Sequence, residues 1–241
     1  MTTEDIYNKI KAKLLQHAKE EYPKECCGLA VVIKGKIQYK KCKNIALSGD
    51  FAIDPLDYAK YSDMGEIVAI CHSHPTTQPS PSIADKIGIE KSNLPWIIVS
   101  PDSLNYSITE PSGFKLPLIG REFKHGTVDC LTLIRDYYQE LGIELPDSER
   151  EDDWWLKGSD LYREKFKDFG FVKVGDSEFL DFKKNDVILM QVGSPVPNHG
   201  AIYIGDNLIL HHCQGRLSSR DVYGGYWRKV TNMVIRHKEF L

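Results

Sequence analysis

Residues 67–75 read IVAICHSHP, and this stretch decides how the first half of the chain folds. The run 67–71 is apolar without a break, which is typical of a short strand buried inside a sheet. It leads into His72 and His74, and residues two apart on an extended chain point to the same side. The sequence therefore predicts two imidazoles on one side at the end of a buried strand.

The segments around this strand predict alternating helices and strands. Apolar residues at helical spacing mark the helices, and short apolar runs bounded by turn residues mark the strands. Such interleaving favours a small α/β domain that ends near Glu110. The predicted elements are a helix at 4–21, two strands within 28–39 joined at Lys34-Gly35, a helix at 82–92, a strand at 96–100 and its hairpin partner at 104–110.

The second half predicts a helix followed by an antiparallel sheet, an α+β order. Pro and Gly punctuate 111–120, which indicates a linker between a domain at 1–110 and another at 121–241. The predicted elements are a helix at 129–142, an exposed acidic stretch at 146–153, a helical stretch through Phe169, and strands at 187–192, 201–204, 208–212 and 233–236.

Composition excludes several classes of protein. The 241 residues carry a formal net charge of -3, and neither half is basic enough for a nucleic-acid footprint. No apolar run approaches the ~20 residues of a membrane helix, and we expect no secretory signal at the N-terminus. The six cysteines contain no CxxC pair, so we expect free thiols in a reducing compartment, one of them a candidate nucleophile.

The first candidate site is a metal centre. Asp85 opens the predicted helix at 82–92 and offers an oxygen ligand beside His72 and His74. Two histidines and one carboxylate leave a fourth position on zinc open for water, which is the layout of a catalytic site. Ser82-x-x-Asp85 is also a capping-box pattern, and on its own it favours that structural interpretation.

The same residues resemble a known family. His72-Ser-His-Pro, followed by Ser82 and Asp85, matches the H-x-H-x7-S-x2-D pattern of the JAMM (JAB/MPN) metallopeptidases, and 23–29 resembles their upstream motif. The resemblance implies cytidine deaminase-like layers and cleavage of peptide or isopeptide bonds. It implies one Zn²⁺ per chain on His72, His74 and Asp85, with Glu25 as general base and Ser82 as donor to the oxyanion.

The second candidate site is a thiol centre. Cys130 opens the predicted helix of the second half, and a helix N-terminus favours a thiolate and can hold an oxyanion. A nucleophilic cysteine needs a base that a third group orients. His199 begins a strand and His211 ends the next one, so His211 can orient His199. A single cysteine on an apolar helix is also commonly a packed thiol.

The order of Cys130, His199 and His211 resembles the NlpC/P60 cysteine peptidases. The resemblance implies a papain-like α+β fold, with Cys130 as nucleophile, His199 as base and His211 as orienting residue. It also implies cleavage of the D-glutamyl–diamino acid bond in peptidoglycan stem peptides. The chain departs from the family pattern at Leu131-Thr132, where Ser-Gly is usual, and at His125-Gly126, where an aromatic residue usually precedes two glycines.

A JAMM-like half followed by an NlpC/P60-like half resembles the lambdoid phage tail assembly proteins. The resemblance implies a two-headed peptidase, made in the bacterial host cytoplasm without a signal peptide and carried by the virion tail to the periplasm or cell wall. Its partners would be peptidoglycan stem peptides and tail-tip proteins, with no nucleic acid and no membrane span. Two alternatives stay open: a structural tail-tip assembly protein with non-catalytic peptidase folds, and a cellular deconjugating isopeptidase.

Overall fold

A computed structural model describes residues 1–46, 51–178 and 181–241. The chain divides into two compact units, Met1–Lys115 and Leu116–Leu241. The division falls inside 111–120, the segment whose composition predicts a linker. Each unit has its own sheet and its own apolar core, so each is described by itself.

The first unit is a five-stranded sheet with strand order β2-β1-β3-β4-β5. Strands β3 and β4 are parallel, and the other neighbours are antiparallel. Its elements are α1 (Thr3–Glu21), β1 (Cys27–Ile33), β2 (Lys36–Cys42), α2 (Pro55–Met64), β3 (Glu66–Ser73), α3 (Ile83–Ser92), β4 (Trp96–Val99) and β5 (Tyr106–Thr109).

Helix α1 is held to this sheet by one apolar stripe. Ile6, Ile10, Leu14 and Ala18 recur at helical spacing, and all four are buried against the strands. Thr2 caps the helix by accepting a hydrogen bond from the backbone N–H of the third helical residue. The periodicity that predicted a helix over 4–21 is therefore the face that closes the core.

The second unit is a six-stranded antiparallel sheet with strand order β10-β9-β8-β7-β11-β6. Leu133, Ile134 and Tyr138 of α4 pack into its core. Its elements are α4 (Cys130–Glu140), α5 (Leu161–Lys165), β6 (Phe171–Asp176), β7 (Val187–Met190), β8 (His199–Gly205), β9 (Leu208–His211), β10 (Ser219–Val222), α6 (Gly225–Lys229), β11 (Thr231–His237), and short 3₁₀ turns at Trp154–Leu156 and Lys238–Phe240.

The β8–β9 hairpin aligns the two strands that carry the predicted histidines. Its turn, Asp206-Asn207, has positive φ at both positions, 50° and 57°, as a type I′ turn requires. The resulting register pairs Ala201 with His211. The ends of β8 and β9 therefore lie side by side at one edge of the hairpin.

The predicted layout of an α/β half followed by an α+β half is confirmed, but individual elements differ. The helical stretch predicted through Phe169 is wrong, because only a 3₁₀ turn and the five-residue α5 form there. The sequence analysis also missed α2, β6, β10 and α6. Among the described residues, no helix is long and apolar enough to cross a membrane.

Two candidate active sites

His72, His74 and Asp85 come together in the first unit. The two Nε2 atoms lie 3.2 Å apart. One carboxylate oxygen of Asp85 lies 3.3 Å from Nε2 of His72, and the other lies 3.4 Å from Nε2 of His74. All three residues are buried, so their ligand atoms face one another inside the protein.

Local structure explains how Asp85 reaches the histidines. His72 lies near the end of β3, and His74 follows that strand. Asp85 lies in the first turn of α3, where Ser82 is the N-cap of a complete capping box. Ser82 Oγ accepts the backbone N–H of Asp85, and Asp85 accepts the N–H of Ser82. The capping interpretation and the ligand interpretation are thus compatible, since the capping box aims Asp85 at the histidines.

The two imidazoles are held in place by their neighbours. His74 Nδ1 lies 3.0 Å from the carbonyl oxygen of Gln78, which can accept its proton and leave Nε2 with a lone pair. The His72 ring stacks on Phe51 at 4.3 Å between centroids and meets Trp96 edge-on. These contacts limit rotation of both rings.

The charges in this cluster favour ionised forms. Burial alone raises the pKa of Asp85, but hydrogen bonds with His72 and His74 outweigh it and hold that pKa well below its usual range. The hydrogen bond to Asp85 in turn raises the pKa of His74. The cluster therefore holds a carboxylate next to two imidazoles, a donor set suited to a divalent cation.

The spacing of the ligand atoms is close to that of a zinc site. Bonds of about 2.0–2.1 Å at tetrahedral angles separate neighbouring nitrogen and oxygen ligands by about 3.3–3.4 Å. The two Nε2 atoms lie 3.2 Å apart, and they lie 3.3 and 3.4 Å from different carboxylate oxygens of Asp85. His72, His74 and Asp85 thus form a group that could hold a metal ion.

Glu25 precedes β1, and His74 follows β3. Strands β1 and β3 pair Cys27 with His72, and the backbone N–H of Ser73 donates to the carbonyl of Cys26. An extension of this antiparallel register by two residues would bring Glu25 opposite His74, on the face that carries both histidines. The Glu25 charge also contributes to the raised pKa of His74.

Cys130 is the first residue of α4 in the second unit. Asp129 is the N-cap, accepting the backbone N–H of Thr132, which confirms its predicted role as a helix cap. Arg150 holds Asp129 through two hydrogen bonds of 2.7 and 2.8 Å, and both side chains are buried. This buried pair fixes the helix end that carries Cys130.

His199 and His211 meet across β8 and β9. Nε2 of His199 lies 3.1 Å from Nδ1 of His211. On its far side, Nε2 of His211 lies 3.1 Å from a carboxylate oxygen of Asp221, on the neighbouring strand β10. Three adjacent strands thus carry a row of ionisable side chains.

Cys130 and His199 open into one cleft of about 390 Å³. Tyr162 Oη lies 3.0 Å from Cys130 Sγ, and the backbone of Gly200, the residue after His199, acts to lower the pKa of the thiol. Trp154 and Trp155 also line this cleft, where Trp154 packs edge-on against Tyr162.

The surroundings of Cys130 disfavour the thiolate that its place at a helix N-terminus predicts. Burial raises the pKa of the Cys130 thiol, the Asp129 carboxylate raises it further, and the contacts with Tyr162 and Gly200 only partly offset this. A thiol with a raised pKa needs a base beside it when it attacks.

Comparison with known proteins matches each half separately and the chain as a whole. A family described as prokaryotic homologs of the JAB domain matches residues 8–111, and the NlpC/P60 family matches residues 120–236. Tail tip assembly protein K of Escherichia phage N15 is 37% identical over 231 residues, covering 94% of this chain and 93% of that protein. The chain belongs to the tail tip assembly protein K family.

Two further proteins are also similar to this chain. Tail tip assembly protein K of Escherichia phage lambda is 41% identical over 186 residues, covering 77% of this chain and 89% of that protein. A solved JAB1/MPN domain protein from Archaeoglobus fulgidus is 19% identical with a TM-score of 0.29, covering 45% of this chain and 94% of that chain. The two-domain order of this family, JAB-like and then NlpC/P60-like, is the order predicted from the motifs.

Four residues of this family member's second site were missed by the sequence analysis. Arg150, Tyr162 and Asp221 reach the site only through tertiary packing, and no local pattern marks them. Cys213 differs from these three, because it lies two residues after His211 and its Sγ lies 3.6 Å from His211 Nδ1. The spacing rule that paired His72 with His74 would have paired these two as well.

Proposed function

We propose that this chain is a two-headed peptidase of a phage tail tip, carried by the virion to the periplasm or cell wall. The second unit would act as a cysteine endopeptidase on peptidoglycan stem peptides, at the D-glutamyl–diamino acid bond. The first unit would be a zinc metallopeptidase that cleaves a peptide or isopeptide bond. One observation carries the proposal: Cys130 and His199 share a cleft, with His211 and Asp221 behind His199.

The row of side chains suits one arrangement of protons on the two rings. A proton on His211 Nε2 would face the Asp221 carboxylate 3.1 Å away, and His211 Nδ1 would then accept a hydrogen bond from His199 Nε2–H. His199 Nδ1 is left with a lone pair. His199 can then act as a general base, oriented by His211, while Asp221 fixes the His211 tautomer.

Because the pKa of the Cys130 thiol is raised, the thiol would keep its proton until it attacks and lose it to a base during the attack. Cys130 Sγ would form a bond to the scissile carbonyl carbon while its proton passes to His199. His199 would then give that proton to the leaving amine as the C–N bond breaks. A water molecule, losing its proton to His199, would hydrolyse the thioester and restore the thiol. N–H groups at the start of α4 are suited to hold the oxyanion.

The first unit would divide its work among five residues. His72, His74 and Asp85 would hold zinc, which supplies an activated water and polarises a carbonyl when bound. Glu25, across the sheet from His74, would take the proton of the attacking water and pass it to the leaving amine. Ser82 Oγ accepts the Asp85 N–H, so its own hydroxyl proton stays available to donate to an oxyanion.

The cysteine activity is tested by mass spectrometry of fragments released from purified peptidoglycan. Wild type should release stem-peptide fragments whose masses identify the bond, and Cys130→Ala should release none. Cys42→Ala, which removes a buried thiol of the first unit, is the matched control and should behave as wild type. Equal fragments from wild type and Cys130→Ala would remove Cys130 from the mechanism.

The metal site is tested by metal content. The full chain should bind about one equivalent of zinc at the first site, and His72→Ala should lower the zinc content by that one equivalent. Equal zinc content in wild type and His72→Ala after zinc supplementation would contradict the proposal. Asp57→Asn, a carboxylate of α2 outside the cluster, serves as the control for loss of charge.

A second candidate function is a structural role in tail assembly, favoured by the name that both phage relatives carry. A phage lacking the gene should then fail to form tails, whereas a chain with Cys130→Ala and Glu25→Ala should restore normal tails. If the double variant fails to restore infection but restores tails, the protein is a peptidase needed after assembly. If it restores both, the scaffold role is sufficient.

A further inference from the structure

Three ligand atoms of the second unit form a compact triangle at the end of the β8–β9 hairpin. His199 Nε2 lies 3.1 Å from His211 Nδ1. Cys213 Sγ lies 3.5 Å from the first of these atoms and 3.6 Å from the second. The cluster is separate from the His72 site and includes the only one of the six cysteines, all in the described part of the chain, that is not buried.

The edges of this triangle fit a tetrahedral metal ion with two nitrogen ligands and one sulfur ligand. Zinc binds imidazole nitrogen at about 2.05 Å and thiolate sulfur at about 2.3 Å. At tetrahedral angles these bonds separate two nitrogens by about 3.3 Å, and a nitrogen from the sulfur by about 3.6 Å. The three observed edges depart from these values by about 0.2 Å or less.

The surroundings of the triangle also suit a metal. His211 Nε2 lies 3.1 Å from Asp221, so one ligand already has the carboxylate that commonly backs a metal-binding histidine. Cys213 and His199 both line the cleft of about 390 Å³, which gives an ion a path from solvent. Two imidazoles and a thiolate favour a borderline or soft divalent ion such as Zn²⁺ over Mg²⁺ or Ca²⁺.

We propose that His199, His211 and Cys213 form a second metal site, which takes Zn²⁺ or a similar transition-metal ion and leaves one coordination position open to the cleft. Binding releases the thiol proton of Cys213, and the proton on His199 Nε2 moves to Nδ1 of the same ring.

The consequence for catalysis rests on the proposed function. A neutral imidazole bound to metal through Nε2 keeps its proton on Nδ1. His199 Nδ1 would then have no lone pair to accept the Cys130 proton. The metal-loaded second unit is therefore switched off as a peptidase, and removal of the ion switches it on.

Cobalt(II) tests the site without reference to any activity. Cobalt bound to a thiolate has a near-ultraviolet charge-transfer band, which the sulfur-free site of His72, His74 and Asp85 cannot produce. The full chain, freed of metal with a chelator and titrated with cobalt, should develop this band with about one equivalent beyond that needed for the first site. Cys213→Ser should lose the band. Cys130→Ser, which removes the other thiol of the same cleft, should keep it.

Absence of the band in wild type, once cobalt has filled the first site, would overturn the proposal. Its survival in Cys213→Ser together with its loss in Cys130→Ser would also overturn it, by moving the thiolate ligand to Cys130. If Cys213→Ser does not fold, alkylation of wild type gives the same decision. Zn²⁺ should slow labelling of Cys213 about tenfold or more, and a chelator should reverse the effect; unchanged labelling contradicts the site.

Peptidoglycan hydrolysis separates this proposal from the proposed function. Chelated wild type should release fragments, and about one equivalent of Zn²⁺ beyond the first site should suppress that release. A cobalt band without any hydrolysis leaves the metal site standing and removes the cysteine peptidase. Hydrolysis that zinc does not suppress, in a protein that shows no cobalt band, supports the cysteine peptidase and removes the second metal site.

Discussion

The substitution Arg150→Met should lower the free energy of unfolding of the second unit more than substitutions of exposed residues do. Arg150 donates two hydrogen bonds, of 2.7 and 2.8 Å, to the carboxylate of Asp129. The two side chains are 4% and 3% exposed. Met fills a similar volume but leaves the Asp129 charge buried without its cationic partner.

Two routes give the size of the effect. Burial by itself would raise the pKa of Asp129 above its usual 3.8. Arg150 and the hydrogen bonds of the cap outweigh this desolvation and lower the pKa to about 2. A depression of nearly two units corresponds to about 2 kcal/mol, present in full above pH 4 and lost as pH falls from about 4 to 2. Removing one partner of a buried pair costs about 3–5 kcal/mol. We expect a loss of about 3 kcal/mol at pH 7.

Urea unfolding followed by tryptophan fluorescence measures this loss, since Trp154, Trp155 and Trp227 report on the second unit and only Trp96 lies in the first. Asp129→Asn keeps a capping oxygen and removes the charge. Combined with Arg150→Met, it should recover at least about 1 kcal/mol relative to Arg150→Met alone. A loss below about 1 kcal/mol, or a double variant worse than the sum of the two, would refute the reasoning.

Three further predictions concern the first unit. Leu14→Ala should lower the free energy of unfolding by about 2–5 kcal/mol in urea titrations, because Leu14 is fully buried, whereas Leu15→Ala, at its partly buried neighbour, should cost clearly less. Gly28→Ala should cost about 1–3 kcal/mol in the same assay, since the added methyl group would lie 2.5 Å from the carbonyl oxygen of Lys40; a neutral result would contradict the packing of β1 on β2. Burial lowers the pKa of His17 below its usual 6.5, and Lys41 adds to this effect. The first unit therefore has its full stability with neutral His17 above pH 6.5. It loses stability as the pH falls, because the unfolded chain takes up the proton more readily. Protection factors of α1 amides, which are corrected for the intrinsic exchange rate at each pH, should therefore fall between pH 6.5 and 5 in wild type and change less in His17→Gln; an equal change in both would count against a buried neutral His17.

The elements that the sequence predicted well are those that pack into the core. Helix α1 and strand β3 carry apolar residues in runs or at regular spacing, because each packs against the core of the first unit. Helix α2 was missed because none of its residues is buried, so it has no apolar stripe to detect. Strand β10 was missed for a similar reason, since it is a short edge strand with polar residues on both faces.

The candidate sites followed the same logic at the level of single residues. Side chains that motifs place at fixed spacing, such as His72 and Asp85, were found because the capping box and the strand end position them locally. Arg150 and Asp221 were not found, since they act across 21 and 10 residues of sequence from Asp129 and His211 and depend on the folded chain. The raised pKa of the Cys130 thiol also lay beyond the sequence, because burial is its main cause.

The two-residue turn at Asp206-Asn207 determines which side chains meet at the far end of the hairpin. It lies about 20 Å along β8 from His199, at about 3.3 Å per residue. Because it sets the register of the hairpin, its length selects which residue of β9 stands beside that histidine. One inserted residue would bring Leu210 or His212 to the place of His211, with every side chain of the proposed site still present in the sequence. The residues of this turn can therefore be substituted during evolution as long as the length of the turn is kept.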